Sequence, residues 1–167
     1  MLKIKSYERV NSIAEAYELN QKKSACVLGG MVWLKMGNRN ISTAIDLSGL
    51  GLDTVQELED EFVIGCMTTL HDLETNAALN EFTGGAVRES LRHIVGVQFR
   101  NCATVGGSIF GRYGFSDVLT MFLAMDTWVD MYQAGRIPAY RICNTEKRQG
   151  YSPVCDRKKR HRLKSHI

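Results

Sequence analysis

The stretch RNCATVGGSIFG, residues 100–111, places two adjacent glycines between the strand-like sequences CATV and SIF. Glycine contributes no side chain to packing, but it permits a positive φ and lets another group approach the backbone closely. Successive amide N–H groups in such a turn form a concavity that binds anions. One interpretation is therefore a strand that ends in an anion-binding turn, with Thr104 and Ser108 as hydroxyl donors beside it.

A second glycine pair follows the same design in VLGGM, residues 27–31. Both pairs combine an apolar strand end, two glycines, and the start of a turn or helix. Neither pair is a P-loop, since no GK[ST] follows, and neither fits the GxGxxG pattern. Each pair also fits an ordinary tight turn. The spacing alone does not decide between that interpretation and a diphosphate held between the two pairs.

The composition is that of a globular protein with room for one domain or two small lobes. The chain has 167 residues, of which 44% are hydrophobic and 23% charged, a balance that disordered chains lack. The N-terminal residues contain no apolar core of a signal peptide, and no apolar run reaches the ~20 residues of a membrane span. The five cysteines form no CxxC pair, which is typical of a protein whose cysteines stay reduced. We expect a cytoplasmic protein without a metal site and without a membrane partner.

The periodicity of apolar residues predicts an α+β protein of two lobes. In the first lobe, residues 1–53, we predict a small βαβ unit, and in the second, residues 54–138, a mixed or antiparallel sheet with helices. The predicted helices span residues 10–19, 31–40, 68–76, 82–95 and 116–126. The predicted strands span residues 24–30, 42–50 and 127–133, with an antiparallel hairpin over residues 54–68.

Further expectations concern single side chains. The helix over residues 82–95 has one apolar face, formed by Ala86, Val87, Leu91, Ile94 and Val95. Trp33 and Trp128 are predicted to be core residues rather than stacking platforms. No pairing of a histidine with a nucleophile is apparent, so no catalytic side chain is predicted.

Several segments, in order, carry a family resemblance. They are VLGGMVWLKMGN, STAIDLSGLGLD, VIGCMTTLHDLETN, SLRHIVGVQFRNCATVGGSIFG and SDVLTMFLAMDTWVDMY. Over about residues 7–138 the chain resembles the FAD-binding subunit, or middle domain, of the molybdenum hydroxylases of the xanthine dehydrogenase and carbon monoxide dehydrogenase type. The combination of RN, AT and GG with SD downstream is far more specific than a single glycine pair.

The resemblance implies a two-lobed FAD-binding fold of the vanillyl-alcohol-oxidase type, with the FAD diphosphate between the two glycine segments. It implies a cofactor site formed by residues of both lobes and of the downstream SD segment. Asp117 of that segment would lie nearer the sugar or ribityl hydroxyls. The implied residues are Leu28, Gly29, Gly30, Met31, Val32, Ala103, Thr104, Gly106, Gly107, Ser108 and Asp117.

The resemblance also implies a function and partners. Family members relay electrons from the iron–sulfur clusters of a partner subunit through FAD to NAD or another acceptor, while a molybdopterin subunit oxidises the substrate. The chain would then be a component of an FAD-dependent oxidoreductase. Met31 and Val32 replace the family's usual hydroxyl and acidic residues, and Ser108 replaces an asparagine, so we expect weakened FAD binding. A remnant that no longer binds flavin is the alternative hypothesis.

The last residues differ from the rest in charge. Residues 1–138 carry 12 basic and 16 acidic side chains, whereas residues 139–167 carry 9 basic and 2 acidic ones. A coding frame shifted by one base over residues 139–159 permits a continuation that resembles the family. We therefore predict that residues 139–167 are a non-native, disordered tail produced by a frameshift, and that the chain is truncated. A nucleic-acid-binding tail is a third hypothesis, supported by charge alone, and nucleic acid is not the expected partner.

Overall fold

The first lobe is built on a parallel sheet. The computed structural model describes residues 1–144. Strands β1 (Lys3–Arg9), β2 (Ala25–Leu28) and β3 (Asn40–Asp46) pair in the order β1-β3-β2, both pairs parallel. Helix α1 (Ile13–Asn20) connects β1 to β2 across the sheet. The predicted parallel pairing of β2 with β3 is confirmed. Strand β1 was not predicted, because most of its side chains are exposed and no apolar alternation indicated a strand there.

Helix α1 begins where local capping chemistry predicts. The Ser12 hydroxyl accepts a hydrogen bond from the Glu15 amide at 3.1 Å, and the Glu15 carboxylate accepts one from the Asn11 amide at 2.8 Å. The first bond satisfies one of the amide groups that an α-helix leaves without intrahelical partners, and the second fixes the residue that precedes the N-cap. Ser12 is thus the N-cap of α1.

The helix predicted over residues 31–40 is wrong. Only a single 3-10 turn, Leu34–Met36, forms between β2 and β3, and Gly37 ends it. Met31 has a φ of 57°, outside the helical region, and so the chain turns sharply after the glycine pair. The crossover helix of this lobe is α1 instead.

The second lobe combines hairpins with short helices, and the α+β prediction is confirmed. Its strands form two antiparallel hairpins, β4 (Val55–Glu57) with β5 (Phe62–Ile64), as predicted, and β6 (Trp128–Met131) with β7 (Gly135–Pro138). Its helices are α2 (Leu70–Thr75), α3 (Ala77–Phe82), α4 (Ala86–Leu91), α5 (Val97–Cys102), α6 (Val105–Gly111), α7 (Asp117–Ala124) and α8 (Ala139–Asn144). None of the helices in residues 1–144 combines the length and the apolar character needed to span a membrane.

The long helix predicted over residues 82–95 forms only in part, as α4 (Ala86–Leu91), and a turn separates α4 from α3, which ends at Phe82. Gly84 and Gly85 have φ values of 58° and 83°, so the chain cannot continue as one helix from α3 into α4. Val87 and Leu91 are buried as predicted. Val95, which lies beyond the end of α4, is 81% exposed and does not join the apolar face.

The strand-like interpretation of residues 100–111 is also wrong. The stretch is the end of α5, two extended residues, and all of α6, with the glycine pair in the first turn of α6. The Thr104 hydroxyl accepts a hydrogen bond from the Gly107 amide at 3.2 Å and caps the helix. Val105 and Ile109, four residues apart, are both buried, which gives α6 its apolar side.

Regular secondary structure continues past residue 139, where the predicted tail begins. Ala139 and Ile142 of α8 are buried in the core of the second lobe, and the Ala139 amide donates to the Thr127 carbonyl at 2.9 Å. Residues 139–144 are therefore helical rather than disordered. The rest of the predicted tail, residues 145–167, lies outside the described residues, and the lobe boundary at residue 53 stays a prediction.

A buried ion pair holds α5 against α2. The Arg100 guanidinium donates to both oxygens of Glu74, at 2.7 and 3.4 Å, and to the Ile94 carbonyl at 3.0 Å. Arg100 is only 5% exposed. Because Arg100 lies two residues before the end of α5, this pair positions the segment that leads into α6.

The ion pair makes stability depend on pH. Burial raises the pKa of Glu74, but hydrogen bonds and charge from Arg100 and His71 outweigh it, and the pKa lies below its ordinary value. A carboxyl with a lowered folded pKa stabilises the fold above its unfolded pKa, about 4.3, and this stabilisation is lost as pH falls through the folded pKa.

We expect the free energy of unfolding in urea to fall more steeply between about pH 6 and about pH 3 in the natural chain than in Glu74→Gln. The carboxyl of Asp46 also has a lowered pKa, because hydrogen bonds from Tyr7 and Ser48 outweigh its burial. Asp46 is present in both chains, so the difference between the two slopes reports Glu74. Equal slopes would contradict this assignment.

Candidate functional site

A cleft of about 640 Å³ opens between the two lobes. Its walls come from the loop after β2, the junction of α5 and α6, and the segment between α6 and α7. Nine of the eleven predicted site residues line it, namely Gly29, Gly30, Met31, Val32, Ala103, Thr104, Gly107, Ser108 and Asp117. The fold thus brings together residues that lie more than seventy positions apart in the chain.

The two glycine segments face each other in direct contact. A Cβ atom on Gly29 would lie 2.9 Å from the Thr104 hydroxyl oxygen, and one on Gly30 would lie 1.6 Å from the Cys102 carbonyl oxygen. The second distance is far inside the contact limit and involves backbone atoms, which cannot move aside as a side chain can. At Gly30 the absence of a side chain is therefore a requirement of the contact between the lobes.

The two glycine segments differ in their free amide groups. The amides of residues 29–32 donate to no acceptor within residues 1–144. In α6, by contrast, the Val105 amide donates to the Thr68 carbonyl, the Gly106 amide to the Cys66 carbonyl and the Ser108 amide to the Thr104 carbonyl. Anion-binding amides are thus available mainly in the first segment, which we call the first glycine loop (residues 29–32).

Two predicted residues do not line the cleft. Leu28 is 8% exposed and packs in a cluster with Ile41 and Ala44. Gly106 lies against Cys66, where an added Cβ would come within 2.7 Å of the Cys66 carbonyl oxygen. Both residues support the walls of the cleft, so we do not expect either to contact a bound molecule.

The unusual residues Met31 and Val32 bring apolar side chains to the first glycine loop. Met31 packs against the cluster that contains Leu28, and Val32 packs against the core of the second lobe. The polar groups that the loop can offer a ligand are therefore its backbone amides rather than a hydroxyl or carboxylate.

Sequence patterns did not indicate the aromatic side chains on the wall of the cleft. The prediction that Trp33 is a core residue is wrong, since it is 48% exposed and lines the cleft with Tyr113 and Phe115. The sequence signal for two of them was the RYGF segment, residues 112–115, which contains two aromatic residues shortly before the SD segment.

Few charged groups line the cleft. Arg39, beside β3, and Asp117, at the start of α7, are both exposed there. Burial raises the pKa of the nearby Cys26 thiol, an effect that Arg39 only partly offsets, so Cys26 stays protonated at neutral pH. Residues 1–144 contain no cluster of histidine, cysteine and carboxylate side chains able to hold a metal ion.

The residues present fit a dinucleotide cofactor. The first glycine loop offers several unpaired amides, and the buried Thr104 hydroxyl, which accepts from Gly107, can donate its own hydrogen. The cleft volume lies within the range of small-molecule sites, about 300–1,000 Å³. Amide and hydroxyl donors suit a diphosphate, and the aromatic walls suit planar rings.

Comparison with known proteins gives concordant matches. A family model described as "FAD binding domain in molybdopterin dehydrogenase" matches residues 2–144. The uncharacterized protein YgfM of Escherichia coli K12 is 30% identical over 131 residues, which cover 74% of this chain and 48% of that protein.

Two solved structures are similar in fold. A carbon monoxide dehydrogenase from Hydrogenophaga pseudoflava is 26% identical, with a TM-score of 0.69, over 81% of this chain and 50% of that one. Quinoline 2-oxidoreductase from Pseudomonas putida 86 is 18% identical, with a TM-score of 0.71, over 95% of this chain and 56% of that one. The chain spans about half the length of the relatives it matches.

Proposed function

This chain belongs to the family of FAD-binding domains of molybdopterin dehydrogenases, and we propose that it holds FAD in the cleft between its lobes. The observation that carries the proposal is the contact of the two glycine segments, with unpaired amides at residues 29–32 beside the Thr104 hydroxyl. In this proposal the amides of the first glycine loop and the Thr104 hydroxyl bind the diphosphate. Asp117 accepts hydrogen bonds from sugar or ribityl hydroxyls.

We further propose that the chain serves as the electron-transfer component of a molybdenum hydroxylase. FAD, when bound, supplies the ability to accept and donate one or two electrons. The chain's own residues bind the diphosphate, orient the cofactor and limit its contact with water. The proposed partners are an iron–sulfur subunit and a molybdopterin subunit, with NAD or another oxidant as the final acceptor.

The alternative of a remnant that binds no flavin is not favoured. A family model match over residues 2–144 and the close packing of both glycine segments support a retained site. Met31 and Val32 remove polar side chains, but they leave the backbone amides of the loop without internal partners. The nucleic-acid hypothesis concerns the basic residues of the tail, most of which lie beyond residue 144.

Thermal unfolding in the presence of FAD tests the proposal. A ligand that binds only the folded state stabilises it by about 2.7 kcal/mol at a concentration of 100 times its Kd. We therefore expect the Tm of the full chain to rise with FAD concentration and the flavin to co-elute with the protein in gel filtration. A Tm that does not respond to FAD, to ADP or to FMN would contradict the proposed function.

A further inference from the structure

Three aromatic side chains form a continuous surface on the wall of the cleft, which we call the aromatic wall (Trp33, Tyr113 and Phe115). The rings of Tyr113 and Phe115 stack with centroids 5.3 Å apart and an interplanar angle of 21°. The Trp33 ring lies 5.7 Å from Tyr113 and 5.9 Å from Phe115, at angles of 44° and 62°. Trp33 comes from the first lobe and the other two from the second, so the wall spans both sides of the cleft.

The aromatic wall does not serve the hydrophobic core. The three side chains are 48%, 39% and 68% exposed, and none belongs to a core cluster of the described residues. Large apolar side chains that are exposed together mark binding surfaces more often than single exposed residues do. Because all three line the same cleft as the glycine segments, a ligand in that cleft would cover them.

The local backbone is shaped to place the Tyr113 ring. Arg112 has a φ of 51°, in the left-handed region, which ends α6 and turns the chain back on itself. The Tyr113 ring then lies over Gly111, where a Cβ atom would come within 2.8 Å of Cε2 of Tyr113. The Arg112 guanidinium holds this turn by donating to the Phe110 and Ile142 carbonyls, each at 3.3 Å.

We propose that the aromatic wall stacks against one of the two planar ring systems of FAD, the isoalloxazine or the adenine. This inference rests on the proposed function. Trp33 directly follows the first glycine loop, and Phe115 lies two residues before Asp117. A dinucleotide whose diphosphate lies at the glycine segments carries a planar ring on each side of that diphosphate, and stacking on aromatic faces is favourable for any such ring.

Variants of the exposed rings test the inference. Trp33→Ala and Phe115→Ala are each expected to weaken FAD binding roughly tenfold, as measured by quenching of flavin fluorescence. Phe115→Trp, which keeps an aromatic face, is expected to bind FAD as the natural chain does. Tyr140→Ala is the matched control, because Tyr140 is 58% exposed and does not line the cleft. Thermal unfolding without ligand verifies that each variant folds.

Binding of ADP and of FMN, which represent the two halves of FAD, identifies which ring of FAD the aromatic wall contacts. If the wall holds adenine, both alanine variants lose affinity for ADP and retain it for FMN, and if it holds the isoalloxazine, the reverse occurs. Unchanged affinity of folded alanine variants for FAD, ADP and FMN would overturn the inference and leave the proposed function intact. A natural chain that binds none of the three would overturn both.

Discussion

Gly30→Ala is expected to destabilise the chain by about 3 kcal/mol and to abolish FAD binding. The added methyl carbon would lie 1.6 Å from the Cys102 carbonyl oxygen and 3.0 Å from the Cα of Ala103. Both are backbone atoms at the junction of α5 and α6, so the two lobes must separate to admit the new atom. That separation moves the first glycine loop away from Thr104, and the proposed diphosphate site then loses one of its two sides.

Urea denaturation of the purified Gly30→Ala variant measures the loss of stability, and fluorescence titration with FAD measures the loss of FAD binding. Gly114→Ala is the matched control, because a Cβ there meets nothing within 4 Å and the residue has no positive φ. We expect the control to change the free energy of unfolding by no more than about 0.5 kcal/mol. A Gly30→Ala variant as stable as the control would show that the lobes do not pack through this contact.

Arg100→Met is expected to destabilise the chain by about 3 kcal/mol or more, since removing one partner of a buried ion pair leaves the Glu74 carboxylate with the 3.5 Å contact to His71 in place of the arginine. Arg100 is 5% exposed, and its guanidinium satisfies both Glu74 oxygens as well as the Ile94 carbonyl. Methionine keeps much of the side-chain length but provides no donor. The loss should therefore reflect hydrogen bonding and charge more than packing.

A double-mutant cycle in urea checks this prediction. Glu74→Gln combined with Arg100→Met removes both charges, so the double variant should be more stable than the sum of the single effects predicts, by about 1 kcal/mol or more. Arg92→Met is the matched control, because Arg92 pairs with Glu89 on the surface and both side chains are exposed. Additive single effects, or an Arg100→Met variant no worse than the control, would contradict the assigned role of the ion pair.

Helix starts could be predicted from the sequence because they depend on neighbouring residues. Ser12, Thr69 and Ser116 each accept a hydrogen bond from an amide three positions later, as their positions before apolar segments indicate. The β4–β5 hairpin was predictable for the same reason, since an acidic turn joins two short alternating segments. Interactions within three or four residues are visible in the sequence itself.

The conformation of residues 100–111 could not be predicted from local sequence patterns. CATV and SIF are strand-like in composition, yet both belong to the junction and body of α6. Their conformation depends on distant partners, because the Val105 amide donates to Thr68 and the Leu70 amide donates to Ala103. A pattern of β-branched residues cannot reveal that such acceptors lie nearby, and it therefore favoured the wrong element.

The sequence by itself determined the family, the α+β composition, the parallel pairing of β2 with β3, and the two glycine pairs. Only the tertiary structure decided that those pairs meet, that the free amides lie mainly in the first loop, and that Trp33 joins Tyr113 and Phe115 on an exposed wall. The physical reason is distance along the chain. Contacts between residues about 75 positions apart arise from the packing of whole elements, and no local period or turn preference encodes them.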